Sequence, residues 1–127
     1  MDLITLEHPG RNGPGLWRLL HLTAARVTTP DAEQFFEQFL NLWITGLTCP
    51  ECLSHFRNFT RQRPLSSYRS SFNGIPGYFR WTWELHNDVN RKLHKPVVDL
   101  STSYQAYAVN VNFNNPGFNP PMTYQSA

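Results

Sequence analysis

Cysteine is scarce. The 127 residues hold two, Cys49 and Cys52, which excludes a secreted scaffold cross-linked by several disulfides. Long apolar runs are missing too: no stretch approaches the roughly 20 residues that a membrane helix requires, so no membrane partner is expected. Charge is sparse and balanced, with 11 basic and 9 acidic residues giving a net charge of +2. The basic residues are scattered, which argues against a nucleic-acid groove or a polybasic anchor. The first fifteen residues lack a basic segment followed by an apolar run. No signal peptide is expected there, and a cytoplasmic protein is the starting point.

Aromatic residues, at 14%, and 40% hydrophobic residues overall predict one folded domain with large core anchors. Residues 1–15 are rich in Gly and Pro and read as an irregular lead-in. From Leu16 to about Val27, Trp17, Leu20, His21 and Ala24 recur at i, i+3, i+4 and i+7, one face of a helix. Thr29-Pro30-Asp31 has the order of a cap, a first helical position and an acidic first turn, starting a second helix that runs to about Leu47. Phe35, Phe36, Phe39, Leu40 and Trp43 give it a wide apolar stripe. A third helix starts at the cysteines, a loop covers 64–77, and a fourth helix runs from Gly77 to about Leu93. A short fifth segment is expected over Ser101–Val109, and an extended Asn- and Pro-rich tail over 110–127. The fold class is all-α: a four-helix bundle with a short fifth helix, its domain spanning residues 16–109.

The densest chemistry lies in Cys49-Pro50-Glu51-Cys52. Pro50 suits the first position of a helix, which puts Cys49 at the N-cap. Free N–H groups and the positive end of the helix dipole there stabilise a thiolate. Cys52 shares a face with Phe56 and Phe59 and is expected to point with the core. Such a pair serves disulfide exchange, zinc binding or plain packing. Zinc needs four ligands, and His55 with one of His21, His86 or His94 would complete a zinc-stapled interaction module without catalysis.

A second constellation is His86-Asn87-Asp88-Val89-Asn90-Arg91-Lys92, with Lys95-Pro96 behind it. His86, Asn87 and Asn90 fall on adjoining positions of one helix face. Two Asn in mid-helix cost propensity, so the face reads either as solvated or as a ligand site with Lys92 and Lys95 near phosphates. Trp17 with His21 reads as core packing or as a flank for a planar ring.

In order and spacing, Trp17-x₃-His21-x₂-Ala24-Ala25, the Cys-x-x-Cys on the third helix, and Trp81-x₄-His86-Asn87-x-Val89-Asn90-x-Lys92-Leu93-x-Lys95-Pro96 resemble the Erv/ALR family of FAD-linked sulfhydryl oxidases. The resemblance spans Gly10 to Tyr107, and the small size looks like the versions encoded by large DNA viruses. It implies a homodimer with FAD bound beside the cysteines, thiol-bearing protein substrates or a separate thiol shuttle protein, and molecular oxygen as acceptor. Cys52 is then the flavin-proximal cysteine and Cys49 the one that meets substrate, with no metal. By the same match, Trp17, His21, Trp81, His86, Asn87, Asn90, Lys92, Lys95 and Tyr107 surround the cofactor. Family members often join the fourth helix to the segment after Lys-Pro with a disulfide. Trp83 and Leu100 stand at those places, so an apolar contact is expected instead. A virion location accompanies the cytoplasmic one if the chain is viral.

Overall fold

A computed structural model describes residues 13–47 and 49–108. They form five α-helices: α1 (Gly13–Ala24), α2 (Pro30–Ile44), α3 (Pro50–Gln62), α4 (Gly77–Lys92) and α5 (Leu100–Ala108). Among the described residues the fold is all-α, as expected. The expected tail over 110–127 lies outside them.

Each helix start has a local cause. Thr29 caps α2 by accepting the Ala32 N–H at 3.1 Å, with Pro30 in the first turn and Asp31 and Glu33 facing the helix dipole. Cys49 caps α3 in extended backbone, again with Pro following. Asp99 heads α5, its carboxylate accepting the N–H groups of Ser101 and Thr102 at 3.2 and 3.1 Å. The expected bounds move by a few residues. α1 begins at Gly13 rather than Leu16, because Pro14 is tolerated in a first turn whose N–H groups have no helical partner. α2 stops at Ile44, where the Thr45 hydroxyl turns back onto Leu42 O at 2.5 Å.

The 64–77 loop carries structure of its own. Leu65–Tyr68 is a 3₁₀ turn. Asn73 and Gly74 both take positive φ, +51° and +80°, and reverse the chain so that Phe72 and Ile75 pair through two backbone hydrogen bonds. This is the two-residue turn that Asn-Gly favours. Gly77 then starts α4 against the 3₁₀ turn, where a Cβ would lie 1.7 Å from Tyr68 O. The other end of α4 closes on His94 at φ +60°, with His94 N–H on Arg91 O and Lys95 N–H on Asn90 O. That pair of bonds is a Schellman closure built without glycine.

α4 is the central element. Its Phe79 and Trp81 are fully buried with Leu20 of α1 and Phe36 of α2. Trp81 meets Phe56 and Phe59 of α3 edge-on, while Phe79 meets Tyr104 and Tyr107 of α5. Trp43 of α2 closes the layer against Trp17 and Phe56, its indole N–H donating to Leu16 O at 3.0 Å. Aromatic rings therefore set the spacing of all five helices, and the ends of α1, α3 and α4 are brought together.

Candidate active site

Cys49 and Cys52 are free thiols one turn apart at the start of α3. Cys49 Sγ accepts the Cys52 backbone N–H at 3.4 Å, as a cap should. The two thiols are pulled in opposite directions. The hydrogen bond from the Cys52 thiol and then the Cys52 N–H lower the Cys49 pKa. Burial, the bond to Cys49 and the Cys49 charge push Cys52 up to about 12, against the nearby Lys92 charge. In the dithiol form Cys49 is therefore the more acidic thiol and Cys52 the proton holder.

Cys52 stands on the wall of a cleft that opens to solvent. Trp17 and Trp43 form another wall, Leu85, Val89 and Lys92 of α4 a third, and His55 and Phe56 continue from Cys52 along α3. Sequence reasoning placed Trp17, Cys52 and Lys92 at a site, and the structure brings those three together. It considered His55 only as a zinc ligand, and it missed Trp43, Leu47, Glu51, Phe56, Leu85, Val89 and Leu93 as cleft residues. His55 had a signal available, since it follows Cys52 by one helical turn. Its Nε2 lies 3.0 Å from Asp88 Oδ2, out of line for a hydrogen bond.

Behind Trp17 lies a buried polar relay. His86 stacks flat on the Trp17 indole at 4.1 Å and 3°, and its Nδ1 meets His21 Nε2 at 2.8 Å. His21 Nδ1 meets Thr82 Oγ1 at 2.9 Å, and the Tyr107 ring covers His21 at 5.1 Å. Burial lowers the His86 pKa to about 3, helped by the Lys95 charge. Burial and then His86 hold His21 well below the ordinary imidazole range. Both rings are neutral near pH 7. Trp17, His21, His86 and Tyr107 thus form one cluster, although they come from three helices.

The remaining expected residues are placed differently. Asn87 grips the backbone of Val98: its Nδ2 donates to Val98 O at 2.8 Å and its Oδ1 accepts Val98 N–H at 3.0 Å. Asn90 Nδ2 donates to Asn87 Oδ1 at 3.3 Å. Trp81 is buried between α3 and α4, its Nε1 donating to Arg63 O at 2.8 Å, and it is not among the cleft-lining side chains. Lys95 is exposed beyond α4. At the places of the expected apolar contact, Trp83 and Leu100 both pack against the core, and Trp83 Nε1 also donates to Val98 O at 2.6 Å. The zinc module finds no support. Among the described residues no three His, Cys, Asp or Glu side chains converge for a metal ion, since His21 and His86 bond to each other instead.

A helical bundle that sets a polarised Cys-x-x-Cys dithiol on the wall of an aromatic cleft defines a dithiol redox protein. The chain belongs to the Erv1 / Alr family, whose family model matches residues 14–111. It is 31% identical over 98 residues to a FAD-linked sulfhydryl oxidase of African swine fever virus, covering 75% of this chain and 78% of that one. It is 33% identical over 105 residues to the mitochondrial FAD-linked sulfhydryl oxidase ERV1 of Saccharomyces cerevisiae, covering 80% and 51%. Sulfhydryl oxidase 1 of Oryza sativa is 28% identical over 88 residues, covering 69% and 16%. No solved structure matches the chain.

Proposed function

We propose that the chain is an FAD-dependent sulfhydryl oxidase that forms disulfides in protein thiols through Cys49 and Cys52, with molecular oxygen as the final acceptor. The observation that carries this reading is the opposed ionisation of the pair on the wall of an aromatic cleft. The names of the viral and yeast relatives support it.

The residues present fit a flavin. The cleft has flat aromatic and apolar walls and one cation, Lys92, and His86 Nε2 and Asn90 Oδ1 are buried without a protein partner. Trp17, Cys52 and Lys92 would hold the cofactor from the cleft, and His86 and Asn90, which are buried outside the cleft lining, would offer it their bare acceptors. His21 and Tyr107 would support His86, Asn87 would support Asn90, Trp81 would fix α4 against α3, and Lys95 would add positive charge. When bound, FAD takes two electrons from the dithiol and passes them to oxygen, which leaves as hydrogen peroxide.

The chain's own steps follow from the pair. A substrate thiolate attacks Cys49 Sγ of the oxidised pair, forming a mixed disulfide and releasing Cys52 as a thiolate. The Lys92 charge favours that thiolate. A second substrate thiolate then attacks the substrate sulfur, so the substrate leaves oxidised and Cys49 departs as a thiolate. Cys52, with its pKa near 12, has by then taken a proton from solvent, and its N–H and thiol receive the Cys49 charge. Substrate thiols or a shuttle protein would meet Cys49, the thiol at the α3 N-cap. Leu19 of α1 with Phe35 and Leu42 of α2 are 50%, 60% and 69% exposed, and we assign these two helices to a homodimer contact. Sedimentation at micromolar concentration should give a dimer; a monomer overturns that contact.

The test of activity is a visible spectrum of the purified protein under air. Flavin bands should bleach on adding a dithiol, recover, and leave peroxide. A protein that takes up no FAD overturns the reading.

A further inference from the structure

Two hydrogen-bond relays run to the same face of α4, and each starts at a backbone group whose polarity is fixed. The first starts at the Phe79 carbonyl, which can only accept. The Thr82 hydroxyl gives its single proton to it at 2.7 Å. Thr82 Oγ1 therefore accepts from His21 Nδ1 at 2.9 Å, and His21 carries its proton on Nδ1. Its Nε2 is then a lone pair, which accepts from His86 Nδ1–H at 2.8 Å. A neutral His86 with its proton on Nδ1 has a bare Nε2, and that atom is buried without a partner. The second relay starts at Val98. Its N–H and C=O orient the Asn87 amide, which orients Asn90 with Nδ2 inward and Oδ1 bare and buried. His86 and Asn90 are one turn apart on α4. Both relays end in acceptors.

We propose that Thr82 is a positioning residue for the cofactor. By fixing the tautomers of His21 and His86, it makes this face of α4 a pair of pure acceptors that takes hydrogen-bond donors of FAD, its hydroxyls or its adenine amine, and turns phosphate oxygens away. The phosphates are then left to Lys92 and Lys95 further along the chain. This rests on the FAD-dependent reading above. Thr82 is fully buried and does not line the cleft, so it acts through the histidines.

The experiment compares wild type, Thr82→Val and Thr82→Ser by nitrogen-15 NMR of the histidine rings and by FAD titration of the apoprotein. In wild type, His21 and His86 should both carry hydrogen on Nδ1. Thr82→Val removes the acceptor, so His21 should move its proton to Nε2 and His86 should follow, placing a donor where the cofactor needs an acceptor. FAD binding should weaken by roughly ten- to a hundredfold, and Thr82→Ser should restore both tautomers and affinity. A wild-type His86 protonated on Nε2 overturns the relay without any variant having to fold. Unchanged FAD affinity in a Thr82→Val protein with switched tautomers overturns the role in binding while the oxidase reading stands. A wild type that binds no FAD overturns the oxidase reading and the role in binding together, and the ring spectra still decide the relay.

Discussion

Cys49 and Cys52 are chemically alike and sit one turn apart, yet their surroundings give them different work. Cys49 accepts the Cys52 N–H at a helix start, whereas Cys52 is withdrawn beside aromatic rings. Cys52→Ser should retain bound FAD, because one oxygen-for-sulfur change leaves the cleft intact, while dithiols no longer bleach it. Flavin bleaching at the wild-type rate in anaerobic stopped flow would reverse the assignment. Asn87 makes a second residue-scale case. Its amide satisfies both polar groups of Val98 and also orients Asn90. Asn87→Ala strands those groups, so it should cost about 2–3 kcal/mol of stability in urea unfolding of the apoprotein. A loss below about 0.5 kcal/mol would show that water replaces the amide freely.

At the scale of elements, helix ends carry the information. The Cys49 cap and the α2 start were legible in the sequence, because Pro after a capping side chain has few other uses. The Asn73–Gly74 reversal is equally readable from its dipeptide, although the composition of 64–77 as a whole reads only as loop. The closure of α4 was hidden, since nothing in Leu93-His94-Lys95 resembles the glycine that usually takes positive φ. A non-glycine residue in that conformation is strained, and His94 is exposed. His94→Gly should therefore raise apoprotein stability by roughly 0.5–1 kcal/mol, read as a higher Tm. An unchanged or lower Tm would mean that the His94 side chain contributes more than its backbone costs.

Across the whole molecule, the two buried imidazoles tie folding to pH. Unfolded, both titrate near pH 6.5; folded, His86 titrates at about 3 and His21 is also lowered. Between those values the unfolded chain binds more protons, so stability is full above about 6.5 and falls as the solution is acidified. The slope approaches about 1.4 kcal/mol per pH unit for each histidine. Urea unfolding of the apoprotein between pH 6.5 and 4.5 should show it, and His86→Gln should flatten it; a level wild-type profile would contradict the burial. This coupling was invisible in the sequence. Trp17 with His21 and the His86 segment could be recognised separately, but their union depends on α1 lying against α4 across 65 residues of chain. The Val98 contacts were hidden for a different reason: their partner atoms are backbone, which no side-chain pattern announces.

The brace between α4 and the start of α5 consists of the Trp83 and Asn87 hydrogen bonds to Val98, and both cysteine thiols of these 127 residues sit in the working pair. Two thiols permit a single internal pairing, so oxidation among these residues has no wrong isomer to trap. The scaffold can reach its final shape in a fully reducing solution and survive a large excess of thiol. No earlier oxidase is required to finish building this one.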